Sequence, residues 1–123
     1  MKDLFNSIAA IPKVELHRHL EGSVRPQTLL ETAKEFKIPI TGNSIDDIKL
    51  YSQILQNEPR NFSHFQHKFA FLRKFWVCRE IIERVASEAV EDAARDNIDY
   101  LELRFNPTYL ALDSFYDPHD VTN

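Results

Sequence analysis

Apolar positions recur along this chain in two rhythms, and the switch between them marks out the elements. Across residues 13–20 polar and apolar side chains alternate, with Val14, Leu16, Arg18 and Leu20 set against Glu15, His17 and His19. Successive strand side chains point to opposite faces. The pattern therefore predicts a short strand running out of Pro12 to the turn at Gly22, with Glu15, His17 and His19 sharing a face. The same alternation returns across residues 98–105. There Leu101, Leu103 and Phe105 fall on one face, Tyr100, Glu102, Arg104 and Asn106 on the other, and Pro107 closes the run.

Elsewhere the spacing is helical. Leu4, Phe5, Ile8 and Ile11 predict a short amphipathic turn before the first strand. Pro26 suits a first helical turn, and Leu29, Leu30, Ala33 and Phe36 carry a stripe to residue 37, which Pro39 and Gly42 break. Ser44 with Asp47 resembles a capping pair, followed by Ile45, Ile48, Leu50, Tyr51, Ile54 and Leu55. After a polar, Pro-bearing loop at 56–61, a third helix is expected with Phe62, Phe65, Phe69, Leu72 and Trp76 on one face. Residues 78–97 hold the strongest pattern. Ile81, Ile82, Val85, Ala86, Ala89, Val90, Ala93 and Ala94 line one side, and Glu83, Arg84, Glu88, Glu91, Asp92 and Arg95 the other. Asn97 is a suitable stop. Strand, helices, strand is the order of a parallel βαβ unit, so the fold class is α/β.

Composition narrows the function. The 123 residues carry 15 basic and 19 acidic side chains, a net charge of −4, which argues against a nucleic-acid partner. A lone cysteine, Cys78, excludes an internal disulfide and favours a reducing compartment; packing is its expected role. Residues 1–7 are too polar for a signal peptide, and no apolar run approaches a membrane span. A cytoplasmic location, with no membrane partner, is the expectation.

The chemistry sits on the first strand. Side chains two apart on one face lie about 6.5–7 Å apart at the backbone, and two imidazoles so placed can converge on one ion at about 2.0–2.1 Å per Zn–N bond. On its own His-x-His is a weak signal: a solvated or hydrogen-bonded histidine pair on an edge strand is the commoner source of that spacing.

The wider motif, residues 12–23 (Pro-Lys-Val-Glu-Leu-His-Arg-His-Leu-Glu-Gly-Ser), resembles the first-strand signature of the adenosine deaminase family of metal-dependent amidohydrolases. Phe65-Gln66-His67-Lys68-Phe69, Cys78-Arg79-Glu80 and residues 100–107 resemble the family's next blocks, in order. The resemblance implies the N-terminal part of a (β/α)8 TIM barrel, about its first two strands with the intervening helices. A whole barrel needs about 250 residues, so residues 1–123 are expected to form one partial domain, roughly the first third. It implies a Zn²⁺ held in part by His17 and His19, and a purine nucleoside substrate contacted by Glu21, Phe65 and Phe69. Glu21 stands where many members have Asp. A third histidine ligand, a proton-shuttling glutamate, a further histidine and an aspartate ligand belong to later strands of the family, so no catalytic residue is expected within this chain and the chain alone is expected to be inactive.

The expected reaction is hydrolytic deamination of adenosine to inosine, with adenine or a modified adenine nucleotide as alternative substrates. Arg104 and Glu102 are expected to form a structural ion pair, and His64, His67 and His119 to be exposed. Two other classes remain open: a metal phosphoesterase that also opens on His-x-His, and a non-catalytic remnant. The coding sequence beyond Asn123 discriminates between enzyme and remnant.

Overall fold

The computed structural model describes residues 1–111; His119 lies outside them. Helix α1 (Lys2–Ala10) leads into strand β1 (Lys13–His19), and a 3₁₀ turn at Leu20–Gly22 follows. Helices α2 (Pro26–Glu35), α3 (Ile45–Ser52), α4 (Phe62–Leu72) and α5 (Arg79–Arg95) then form the crossover to strand β2 (Ile98–Arg104), and α6 (Pro107–Ala111) comes last. β1 and β2 pair in parallel, as the strand–helix–strand order predicts.

Several boundaries follow from local chemistry. Pro26 occupies the first turn of α2. Ser44 and Asp47 form a reciprocal capping box on α3, and the Ser44 hydroxyl bond holds the Asp47 carboxyl below its usual range. Asn97 ends α5 with φ at 58°, a conformation that asparagine tolerates better than most residues. Gly42 takes φ 89°, and a Cβ there would collide with Asp47.

Two apolar clusters anchor the helices. Leu29, Leu30 and Ala33 of α2 meet Ile48, Leu72 and Phe75. Ile81, Val85 and Ala89 of α5 meet Leu20, Trp76 and Leu110, with Leu103 of β2 and Cys78 packed beside them. Burial pushes the Cys78 thiol up, in keeping with a packing role.

The structure corrects several expectations. Trp76 lies past the end of α4 and packs against α5, because a 3₁₀ turn at Arg73–Phe75 redirects the chain. Phe36 caps α2 and stays 40% exposed, and α3 stops before Ile54 and Leu55. On α5, Val90 is exposed while Glu88 is buried. Glu88 is satisfied there by the Thr28 hydroxyl at 2.6 Å and the Arg84 guanidinium at 2.8 Å. Arg25 joins the same seam through Asp92 and Glu91, tying the start of α2 to α5. Among the described residues no helix is long and apolar enough to cross a membrane.

Candidate active site

The site is built at the C-terminal ends of the two strands. Pairing is irregular twice, once after Lys13 and once between Glu15 and Arg18, and the two shifts cancel across the strands. The second breaks the strict alternation of β1. Glu15 therefore leaves the histidine row and pairs with Arg18 at 3.5 Å, and Arg18 lies near Asp92 of α5. That departs from the expected grouping of Glu15 with His17 and His19, and of Arg18 with the apolar row.

His17 and His19 themselves converge. Their Nε2 atoms lie 3.0 Å apart, with ring centroids at 5.0 Å. Two nitrogens this close either share a proton, one ring donating to the other, or turn both lone pairs toward one cation. Zn–N bonds of about 2.0–2.1 Å from each ring reach a common point across that gap. The other side of His19 supports the second arrangement. Its Nδ1 is 3.8 Å from Glu21 Oε2, a buried carboxylate oxygen that accepts no hydrogen bond. A carboxylate beside the far nitrogen is the usual companion of a metal-binding imidazole. The donor set therefore fits zinc in kind but is incomplete in number. Among the described residues no third His, Cys, Asp or Glu joins the pair, whereas catalytic zinc takes three protein ligands.

Glu21 is held from the second strand. It is 5% exposed in the 3₁₀ turn, and its Oε1 accepts the backbone N–H of Asn106, just past the end of β2. This bond ties the two strand ends together and fixes the floor of a cavity of about 940 Å³.

Helix α4 makes the facing wall. Phe62, Phe65 and Phe69 line the cavity together with Gln66 and Ala70. Phe62 is 72% and Phe65 47% exposed, so this aromatic stripe is no ordinary core. Phe65 and Phe69 pack at 5.0 Å, and the edge of Phe69 meets the His19 ring at 6.2 Å. Gly22 permits that approach, since a Cβ there would lie 3.1 Å from the Phe69 ring.

Sequence reasoning missed the rest of the rim. Phe105 lies beyond β2 and lines the cavity rather than continuing the apolar row; Asn106 and Tyr109 flank it. Arg73 lies over the Tyr109 ring at 3.9 Å and also lines the cavity. No spacing rule links those two residues, because they meet only across the fold. Arg104 is separated from Glu102 by 4.0 Å with both half exposed, a loose pair, and it too faces the cavity. His67 is exposed on the rim, as expected, but His64 is half buried against Glu58.

Comparison with known proteins identifies the family. The adenosine deaminase family model matches residues 12–122. Adenosine deaminases of Escherichia coli O1:K1 and of Shigella boydii serotype 18 are 38% identical over 102 residues, covering 83% of this chain and 30% of theirs. An apo structure of the N6-methyl-AMP deaminase from Arabidopsis thaliana is similar with a TM-score of 0.62 at 33% identity, over 83% of this chain and 28% of that one. The chain thus spans about 30% of the length of the curated relatives it matches, and its two-stranded parallel sheet with crossover helices resembles the N-terminal part of a deaminase. On these grounds the chain belongs to the adenosine deaminase family.

Proposed function

We propose that this chain supplies the opening part of a zinc-dependent enzyme that converts adenosine and water to inosine and ammonia. The observation that carries the reading is the 3.0 Å approach of the His17 and His19 Nε2 atoms at the floor of an aromatic-walled cavity. His17 and His19 would hold the metal together with ligands from further strands. When bound, zinc lowers the pKa of a water towards about 7, which makes a nucleophile available at neutral pH.

The chain's own groups bind and orient. Phe65 and Phe69 present an apolar wall that suits a purine face and excludes bulk water, which strengthens every electrostatic contact inside. Glu21 keeps a free oxygen, Oε2, beside His19. It orients that imidazole and can accept a hydrogen bond from a hydroxyl at the substrate's sugar end. With two of three protein ligands present, the 123-residue chain alone is inactive in this reading, and its partner is a small molecule.

A second substrate has its own support. Arg73, Arg104 and His67 line the cavity against one carboxylate, Glu21, a balance that would accommodate an adenine nucleotide's phosphate. Turnover of adenosine, AMP, N6-methyl-AMP and adenine by the complete gene product decides between them. Ammonia release from adenosine at a kcat/KM at least about tenfold above the others supports the first reading. Preference for a nucleotide shifts the assignment to the second, and no turnover of any purine removes both.

A further inference from the structure

We propose that the ion pair between Glu58 and Lys68 is a latch that positions the aromatic wall of the cavity; its link to substrate binding rests on the purine-site reading above. The need for a latch follows from how α4 is packed. Within that helix only Lys68 and Leu72 are buried. The first half, which presents Phe62 and Phe65, sinks no apolar side chain into a core. The same two rings also border a second hollow of about 390 Å³, lined by Ile54, Pro59, Arg60 and Asn61 as well as by Phe62 and Phe65. Two rings this exposed, each bordering two hollows, are held little by packing.

Polar contacts hold it instead. Lys68 is 6% exposed, an environment a lysine occupies only when paired. Its Nζ donates to the Leu50 carbonyl of α3 at 2.6 Å and to Glu58 Oε1 at 2.7 Å. The other oxygen of Glu58 accepts the Leu55 N–H at 3.0 Å and faces His64 Nε2 at 3.2 Å. One carboxylate thus gathers the 53–61 loop, and Lys68 fastens that loop and the end of α3 to the helix carrying the aromatic wall. Asn61 caps the same helix through the His64 N–H. None of these residues lines the floor where His17 and His19 meet, so releasing the latch loosens the wall and leaves the metal donors in place.

The test compares Glu58→Gln, Lys68→Met and the double variant in the complete gene product. Amide exchange across residues 53–67 should quicken about tenfold in Glu58→Gln, with residues 79–95 unchanged. KM for adenosine should rise about tenfold, modest beside the loss a misplacement of about 1 Å can cause, with kcat within about twofold and zinc content unaltered. The double variant removes the unpaired buried charge, so it should fold as well as the parent yet keep the raised KM and the fast exchange. Exchange that is unaltered at 53–67, or that rises equally at 79–95, overturns the latch. A fall in melting temperature with unchanged KM does so too. If the parent deaminates no purine, the functional reading fails, and the exchange comparison still decides whether the latch exists.

Discussion

The helical side and the sheet side of this molecule use the same residue types with opposite results. Leu29, Ile48 and Val85 are fully buried between helices. Val14 and Leu16 on β1 are 62% and 56% exposed, and Leu4 and Phe5 on α1 are 65% and 73% exposed. Apolar patterning is equally clear in both regions, so it does not explain the difference. What differs is whether a second layer lies against the stripe. The crossover helices find one another within this chain, whereas Val14 and Leu16 of β1 and the apolar face of α1 have no cover among the described residues. The cavity belongs to the open side, where a bulged strand, a buried carboxylate and an uncushioned aromatic helix meet.

Truncations on the two sides should separate most widely. Ile48→Ala is expected to cost about 2–5 kcal/mol, transfer loss plus cavity. Leu16→Ala in the same 123-residue chain should stay within about 0.5 kcal/mol, and in a protein of the relatives' length it should approach the Ile48 value. Urea unfolding followed through Trp76, the sole tryptophan and 1% exposed, measures both. Equal losses at both positions in the short chain would break the comparison.

The polar seam of the helical side gives an intermediate effect. Glu88→Ala strips the Thr28 hydroxyl of its acceptor and Arg84 of one of its two carboxylate partners, and should cost about 1–3 kcal/mol in the same assay. The same side is acid-sensitive. Hydrogen bonds from Arg25 hold the Asp92 carboxyl below its ordinary value, and those from Gln27 and Arg84 do so for Glu31. The Lys68 ammonium takes Glu58 from 4.5 to about 2. The unfolded chain therefore takes up protons first, and stability present at neutral pH is lost as pH falls through 4.5 towards 2. Urea midpoints at neutral pH and across that interval should decline steadily; a flat profile would show that these contacts do not favour folding. The smallest effect belongs to Ser44→Ala, about 1 kcal/mol for a lost helix cap, read as faster amide exchange confined to the first turn of α3.

Features that depend on neighbours in sequence are legible in the order of residues alone. The Ser44–Asp47 box, Pro26 at the head of α2, Asn97 at the foot of α5 and the His17–His19 spacing are all local devices. Features that depend on a partner far along the chain are not. Glu88 reads as a solvated residue until Thr28 comes within 2.6 Å from another helix. Lys68 reads as surface until Leu50 and Glu58 enclose it. The bulge that takes Glu15 from the histidine row arises from pairing with β2, which alternation on β1 alone does not encode. Lys37 adopts φ 54° beyond α2 without the glycine or asparagine that usually announces such a turn. The cavity floor shows both kinds at once: its histidines stand in a local motif, and the Asn106 N–H that fixes Glu21 comes from 85 residues away.

Metal content tests the central claim most directly. The complete gene product should bind one zinc per chain, and His17→Ala and His19→Ala should each lose it. His67→Ala, an imidazole on the rim of the same cavity, should retain it. Zinc kept at full stoichiometry in both strand variants would show that the paired nitrogens at the end of β1 are hydrogen-bonded to each other and hold no metal.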